Sequence, residues 1–207
     1  ASQAGNLSVN DAIGSPFDWL NDNETLLVKA IPANRGNAPQ RNVAQLGPVI
    51  QETSGASAPV RTYQDLLNDQ HDEALFSYYS TSQLYLINAT NGEAKTFGEP
   101  GIISSVSVSP DGNYTMVNYI RRPFSYIVPY YRFPFDVNIL DTEGNLVSTV
   151  ASIPLSEDQP KGFDATREGP RSFTWRADVP ATLYWIEAQD GGDPEREVEF
   201  RDQLFYL

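Results

Sequence analysis

Three arginines lie close together in one aromatic, proline-rich stretch, residues 119–135 (YIRRPFSYIVPYYRFPF). They are Arg121, Arg122 and Arg132. The whole chain has a net charge of −13, so three guanidinium groups this close together form a local positively charged cluster. Arginine suits bidentate recognition of a carboxylate. The stretch therefore indicates either a site for an acidic ligand, or a loop held by arginines that stack on aromatic rings or pair with surface Asp and Glu.

Hydrolytic chemistry has no visible nucleophile in this sequence. The chain lacks the G-x-S-x-G motif that exposes the serine of an α/β-hydrolase. Its one histidine, His71, lies in a stretch with helical periodicity, where a packed or capping histidine is expected. A triad base needs a positioned serine and a carboxylate, and the sequence nominates neither. We therefore predict no catalytic residue in this chain, and no peptidase or esterase activity from it alone.

Metal binding has little support either. The chain has no cysteine, which excludes a thiolate metal site, a disulfide framework and a cysteine nucleophile. Residues 190–193 (DGGD) resemble a calcium loop, but such a loop needs regularly spaced ligands over about twelve residues and Pro194 interrupts this one. We expect a solvated turn here, and we predict neither a metal nor a cofactor.

The elements that carry these residues follow a repeat. The pattern is apolar, any residue, apolar, two residues, then Asp, and each copy runs into a second apolar strand. The copies are Phe17-Trp19-Asp22, Val106-Val108-Asp111 and Phe173-Trp175-Asp178. Alternating apolar residues predict half-buried strands, and Asp suits the corner because its side chain bonds to nearby backbone amides. The repeat predicts hairpins at 16–32, 102–120 and 171–188.

A second hairpin follows each of the first two. Residues 84–97 turn at Asn91-Gly92, and residues 135–150 turn at Glu143-Gly144-Asn145. Two hairpins make a four-stranded sheet, the size of one propeller blade. The sequence thus predicts an all-β fold, a partial β-propeller of four-stranded antiparallel blades. Its blades are expected at 16–97, at 102–153 and, in part, at 171–207, where 201–207 reads as an unfinished third strand. Because propellers usually have about four to eight blades, we expect the chain to be a fragment.

The first predicted blade is interrupted between residues 33 and 80. Residues 33–61 are rich in Pro, Gly, Asn, Gln and Ser and predict a long irregular loop. Residues 62–80 predict a helix with Thr62 as its N-cap. A break at Asn68-Asp69, with Asp72 capping again, is an equal alternative. The apolar residues near one face of this helix are Tyr63, Leu66, Leu67, Ala74, Leu75 and Tyr78.

Length and composition limit the remaining function classes. With 207 residues, 40% of them hydrophobic, the chain suits one domain with a substantial core, or a piece of a larger protein. The acidic balance argues against a nucleic-acid groove or an anionic membrane surface, since both need clustered cations. No apolar run is long enough to predict membrane insertion, and residues 1–14 do not resemble a signal peptide. A bacterial periplasmic or secreted location is favoured over a cytoplasmic one.

Three motifs of the chain are distinctive. They are R-P-F-S-Y-I-V-P at 122–129, W-R-A-D at 175–178 and L-Y-W-I-E-A-Q-D-G-G-D at 183–193. With them, the chain from about Phe17 to Leu207 resembles the glutamyl endopeptidase branch of the prolyl oligopeptidase superfamily. The resemblance implies a serine peptidase in which an N-terminal propeller caps a C-terminal α/β-hydrolase domain. That domain carries the family's Ser, Asp and His, so this chain would be propeller only, with the catalytic domain absent.

The resemblance also implies a role and partners. The parent is expected to cleave peptides after Glu, with Asp as a second candidate, and the propeller to restrict access and help bind substrate. Expected partners are the hydrolase domain of the parent, the peptide substrate, and another copy of this chain at an exposed blade face. Recognition of the acidic side chain would fall to Arg121, Arg122 or Arg132, with Arg122 and Arg132 favoured because they lie in pieces shared with the family. A stand-alone propeller that acts as a binding scaffold stays open, since propellers host many functions.

Overall fold

The computed structural model describes residues 6–41, 63–160 and 162–207. In these ranges the chain is mainly antiparallel β-structure, as predicted. Helix α1 spans Gln70–Ser80, and a 3-10 turn covers Tyr130–Arg132. The strands are β1 (Phe17–Trp19), β2 (Thr25–Ala30), β3 (Thr81–Asn88), β4 (Ala94–Val108), β5 (Thr115–Ile120), β6 (Phe135–Leu140), β7 (Leu146–Ile153), β8 (Pro170–Trp175), β9 (Leu183–Ala188) and β10 (Asp202–Tyr206).

The strands pair in the order in which they occur along the chain. Strands β1 to β7 form one antiparallel sheet, and β8, β9 and β10 form a smaller one with β9 in the middle. All five predicted hairpins are present. The strand predicted at 201–207 is β10, which pairs with β9 so that Asp202 lies opposite Ala188. Short turns join β1 to β2, β3 to β4, β4 to β5, β6 to β7 and β8 to β9, whereas longer segments join β2 to β3, β5 to β6 and β9 to β10.

Two of the three repeat aspartates shape their corners as predicted. Asp22 accepts hydrogen bonds from the amides of Glu24 and Thr25, at 2.9 and 2.8 Å. Asp111 accepts from the Asn113 amide at 3.1 Å. Asp178 departs from the prediction: its carboxylate pairs with Arg176, two residues earlier, whose Nε and Nη2 donate at 3.0 and 2.5 Å. At the third corner, therefore, the guanidinium group of Arg176 takes the place of the backbone amides as the donor to the aspartate.

Strand β4 changes its pairing partner midway. Its part up to Ile102 pairs with β3, and its part from Ile102 onward pairs with β5. Register shifts interrupt both ladders near this point, in a segment that contains Gly98 and Gly101. The strand runs without a break through 97–102, where the sequence suggested a boundary. The first half of β4 is the last strand of one group of four, β1 to β4. The second half is the first strand of another group of four, β4 to β7.

Apolar clusters join these groups. The central cluster (Leu27, Leu84, Phe97, Ile103, Val117, Leu140) draws on β2 to β6, and the repeat residues Val106 and Val108 pack against it. The lateral cluster (Met116, Val137, Ile139, Leu183) joins β5, β6 and β9, and the repeat residues Phe173 and Trp175 pack against it. In the first copy, by contrast, Phe17 and Trp19 are 54% and 48% exposed. The first copy therefore presents an apolar face that no described residue covers.

The corners of successive copies also touch. Asn21 Nδ2, in the first corner, donates to the Ser109 and Pro110 carbonyls of the second at 3.0 and 2.9 Å. The Asp111 amide, in the second corner, donates to the Pro180 carbonyl of the third at 3.0 Å. The three hairpins of the repeat are thus neighbours in space at equivalent ends.

Helix α1 begins later than the longer of the two predicted forms. Asp69 is its N-cap and accepts from the Asp72 amide at 2.9 Å, while the Asp72 carboxylate accepts from the Asn68 amide at 3.0 Å. The predicted new start after Asn68-Asp69 is therefore present, but residues 63–69 are not helical and Asp69, not Asp72, is the cap. Thr62 lies outside the described residues. In the described part of the chain, no helix is long and apolar enough to cross a membrane.

Candidate functional site

The loop that carries the three arginines joins β5 to β6 and packs on helix α1. Phe124 and Phe133 stack with ring centroids 5.2 Å apart. Both rings meet Phe76 of α1 edge to face, at 5.1 and 5.6 Å. These residues belong to the loop cluster, whose buried members are Ile13, Ile102, Ile120, Phe124, Val128 and Phe133. Aromatic burial thus anchors the loop, and the arginines lie around the edge of this cluster.

Arg121 is tied to strands β6 and β7. Its Nε donates to Asp136 Oδ1 at 2.9 Å, and its Nη2 donates to the Ile153 carbonyl at 3.4 Å. The same Asp136 oxygen accepts from the Ser152 hydroxyl at 2.7 Å. The charge of Arg121 is therefore compensated within the sheet.

Arg122 is tied to helix α1. Its Nη1 donates to Glu73 Oε2, and its guanidinium carbon lies 4.5 Å from the centre of the Phe124 ring. The other oxygen of Glu73 accepts from the Tyr126 hydroxyl at 2.7 Å. That hydrogen bond is the main reason why the pKa of Tyr126 is raised. Arg121 and Arg122 therefore match the second alternative predicted from the sequence, in which arginines hold the loop by pairing with Asp and Glu or stacking on aromatic rings.

Arg132 differs from the other two. Among the described residues its side chain has no ion-pair partner, and its guanidinium carbon lies 5.4 Å from the centre of the Tyr63 ring. The Tyr63 hydroxyl is buried and has no hydrogen-bond partner. The main chain of Arg132 is fixed, since its carbonyl accepts from the Ser156 amide at 3.1 Å. The main chain of Arg132 is therefore held in place, while its guanidinium group has no counter-charge among the described residues.

Arg167 shares this environment. Its Nη2 donates to the Pro154 carbonyl at 3.0 Å, and its guanidinium carbon lies 5.4 Å from the centre of the Phe135 ring. Its Nε is buried without a hydrogen-bond partner. Burial lowers the pKa of Arg167, and the positive charge of Arg132 lowers it further. The two guanidinium groups are thus within electrostatic reach of each other.

The other residues that the sequence singled out do not join this site. His71 lies in the first turn of α1, half-buried, and is not brought to a serine and carboxylate that would complete a triad. The solvated turn expected at 190–193 is wrong, because Asp190 is only 1% exposed and accepts from the Gly192 amide at 2.7 Å and from Arg201 Nε at 2.8 Å. In the described ranges, no three His, Asp or Glu residues are grouped to hold a metal ion.

Comparison with known proteins finds two curated relatives. No protein-family model matches the chain. The chain is 46% identical over 197 residues to "Probable glutamyl endopeptidase, chloroplastic" of Oryza sativa subsp. japonica. It is 42% identical over 196 residues to the protein of the same name from Arabidopsis thaliana, and each alignment covers 94% of this chain. The chain corresponds to a segment of the glutamyl endopeptidases. The resemblance seen in the sequence is confirmed.

The chain spans about a fifth of the length of those curated relatives, 21% and 20%. Among solved structures, "uncharacterized protein lmo1340 from Listeria monocytogenes EGD-e" is 10% identical, with a TM-score of 0.44, covering 97% of this chain and 40% of that one. A likeness at that level carries no argument about the fold.

The groups around Arg132 and Arg167 are of the kind that suits a negative charge. Arginine stays protonated in proteins and offers donors in a planar fork. Arg132 and Arg167 supply two such forks without a carboxylate partner among the described residues, and the Tyr63 hydroxyl adds a donor. These groups bind anions but offer no activated nucleophile, so the chemistry they support is recognition.

Arg167 is the site residue that the sequence reasoning missed. It follows Arg132 by 35 positions along the chain (132 to 167), between Thr166 and Glu168, with no motif around it. Arg167 donates to the Pro154 carbonyl, and the Ser156 amide donates to the Arg132 carbonyl. These two hydrogen bonds, both made with the segment after β7, bring Arg167 close to Arg132. No local signal in the sequence reports that approach.

Proposed function

We propose that this chain is a non-catalytic β-propeller segment of a glutamyl endopeptidase-like serine peptidase of the prolyl oligopeptidase superfamily. In this proposal it restricts access to a C-terminal α/β-hydrolase domain of the parent and helps bind the peptide substrate. The observation that carries the proposal is the identity of 46% and 42% to two curated glutamyl endopeptidases over 94% of the chain.

The strand pairing supports the propeller part of the proposal. Strands β1 to β4 and β4 to β7 form two groups of four, the number expected of a blade, and β8 to β10 supply three strands of another. Contacts between the three corners, and apolar clusters between neighbouring groups, are what blades side by side would make. The exposed Phe17 and Trp19 are what a blade would present to a neighbour before it.

The arginine geometry supports a role in substrate binding. A site that selects an acidic side chain must compensate a carboxylate that loses water, because a desolvated unpaired charge is costly. Of the three arginines in the loop, Arg132 has no ion-pair partner in the described part of the chain, while Arg121 and Arg122 hold the loop through Asp136 and Glu73. Arg132 is therefore the one we assign to the substrate.

The test of this function compares the natural full-length protein with the chain. The full-length gene should encode a G-x-S-x-G motif downstream, followed by Asp and His, and its product should cleave a peptide after Glu in a reaction that a serine-directed inhibitor abolishes. The purified chain should show no turnover. Turnover by the chain alone, abolished by the same inhibitor, contradicts the proposal. A full-length gene without a hydrolase domain favours the binding scaffold instead.

A further inference from the structure

Arg132 and Arg167, from distant parts of the chain, both contact the segment after β7, and Arg132 also lies over the Tyr63 ring. We propose that Arg132, Arg167 and the Tyr63 hydroxyl together form a binding site for the acidic side chain of a peptide. The inference rests on the proposed function, in which such a peptide is the substrate, and it adds Arg167 and Tyr63 to the recognition of that substrate.

The convergence has a clear structural cause. The segment after β7 is held from two sides: Ser156 donates to the Arg132 carbonyl at 3.1 Å, and Arg167 donates to the Pro154 carbonyl at 3.0 Å. The rings beneath the two guanidinium groups, Tyr63 and Phe135, both pack against the loop cluster. Both cations are therefore mounted on the same apolar base, next to the same short segment.

Three carboxylates, on β6, on helix α1 and on the segment after β7, are already engaged elsewhere. Asp136 accepts from Arg121, and Glu73 accepts from Arg122. Glu157, which follows the shared segment, accepts from the Ser125 hydroxyl at 2.6 Å. Within the described ranges, then, no carboxylate pairs with Arg132 or Arg167. In a protein with a net charge of −13, two neighbouring cations without a counter-ion are unusual enough to need a reason.

The site also carries donors that nothing in the described chain satisfies. Arg167 Nε and the Tyr63 hydroxyl are both buried without a hydrogen-bond partner. A buried donor that loses water and gains no acceptor destabilises the fold, and so does the repulsion between two guanidinium groups. A carboxylate is a charged acceptor with two oxygens, so one such group beside the two arginines would offset the repulsion between them.

The surroundings favour a side chain over an inorganic or polyvalent anion. The half-buried apolar residues Phe135 and Leu155 pack against the loop cluster, with the Phe135 ring under Arg167, and suit the methylene stem of an acidic side chain. A polyanion such as a nucleic acid would be repelled by the rest of the surface, given the net charge of −13. A single carboxylate on an apolar stem suits both the apolar residues at the site and the acidic surface around it.

The experiment titrates the 207-residue chain with two blocked peptides, acetyl-Ala-Ala-Glu-Ala-amide and the same peptide with Gln in place of Glu. Binding is followed by NMR through the Nε–H signals of the arginines. We expect the Glu peptide to bind about tenfold or more tightly than the Gln peptide, the ratio for a lost charge-assisted hydrogen bond. The signals of Arg132 and Arg167 should shift most.

Four variants complete the test. Arg132→Gln and Arg167→Gln should each reduce the affinity for the Glu peptide to about that for the Gln peptide, and Tyr63→Phe should reduce it less. Arg176→Gln is the matched control, since it removes the same charge from an exposed corner where Arg176 pairs with Asp178. Should Arg167→Gln unfold the chain, as judged by circular dichroism, Arg167→Lys, which keeps the charge but not the fork, replaces it and should bind more weakly than the natural chain.

Two results would overturn the site. One is equal binding of the Glu and Gln peptides, or no binding of either, by the natural chain. The other is equal loss of affinity in Arg132→Gln and Arg176→Gln, which would mean that overall charge and not this site attracts the peptide. The proposed function fails separately: if the natural full-length protein has no glutamyl peptidase activity but its propeller binds the Glu peptide through Arg132 and Arg167, the site stands and the peptidase assignment does not.

Discussion

Glu73 of helix α1 and Arg122 of the loop between β5 and β6 form an ion pair that joins two elements 49 positions apart. Glu73 is only 16% exposed in its side chain, and its second oxygen accepts from Tyr126 of the same loop. One carboxylate thus holds the loop at two points, which fixes the segment that leads to Arg132.

Replacing Glu73 with Gln should destabilise the chain by about 1–2 kcal/mol, because the change weakens two hydrogen bonds to a half-buried carboxylate and leaves Arg122 without its counter-charge. The pKa of Tyr126 should fall toward its ordinary value, since the bond to Glu73 is the main cause of its rise. Urea unfolding measures the first effect. Glu197→Gln, in an exposed segment before β10, is the control. Equal effects of the two changes would show that the pair does not hold the loop.

Gly144 and Gly112 should respond very differently to replacement by Ala. Both have positive φ, +86° and +75°, so both changes carry the strain of that conformation, about 1 kcal/mol or more. At Gly144 the added Cβ would also lie 2.4 Å from the Gly98 nitrogen, whereas at Gly112 it would meet nothing within 4 Å. Gly144→Ala should therefore cost at least about 2 kcal/mol more than Gly112→Ala in urea unfolding. Similar losses would mean that the β6–β7 turn does not pack on β4 as described.

Tyr119 should make the fold sensitive to alkali. Burial, and then the negative charge of Glu99, raise the pKa of Tyr119 to about 12. The unfolded chain has an ordinary phenol pKa of 10.0 and so loses this proton first as the pH rises. The stabilisation is complete below about pH 10 and is lost between about pH 10 and pH 12. We expect Tyr119→Phe to flatten the fall in the free energy of unfolding over that range, and Tyr114→Phe, in an exposed position, to leave it unchanged. An identical decline in Tyr119→Phe would contradict the assignment.

The sequence was informative about strands because their determinants are local. Alternation of apolar residues and the Asp and Gly corners predicted every hairpin, and the pairing of β10 followed from the same periodicity. The sequence predicts two alternative starts for α1 because Thr62 and Asp72 are both good capping residues, and the observed cap is Asp69. Tertiary contacts, and not propensity, decide between such alternatives.

The site was only partly predictable for the same reason. The cluster of Arg121, Arg122 and Arg132 is visible in the sequence, but which of them is neutralised depends on Glu73 and Asp136, which reach the loop only in the folded chain. Asp190 shows the opposite error: a polar, Gly-rich segment suggested a solvated turn, yet Arg201 approaches from 11 positions away and buries the carboxylate.

The apolar face of the first repeat copy should cause self-association of the isolated chain. Val9, Phe17 and Trp19 are about half exposed and lie on one side of β1 and β2. Sedimentation velocity should show association that increases with concentration, and the double change Phe17→Ser with Trp19→Ser should reduce it. Tyr131→Ser, an exposed aromatic in the loop after β5, is the control and should not. A strictly monomeric natural chain at high concentration would contradict this prediction.

The most direct test of the central claim is the selectivity of the natural full-length protein for Glu over Gln at the cleavage position. Arg132→Gln should lower kcat/KM more on the Glu substrate than on the Gln substrate. Expressed as activation free energy, the difference should be about 1.5–3 kcal/mol, the cost of a lost charge-assisted contact. Arg122→Gln, in the same loop but paired with Glu73, should affect both substrates alike. If Arg132→Gln, like Arg122→Gln, reduces kcat/KM by the same factor on the Glu and Gln substrates, this segment does not recognise the acidic side chain. The proposed function of the segment would then be wrong.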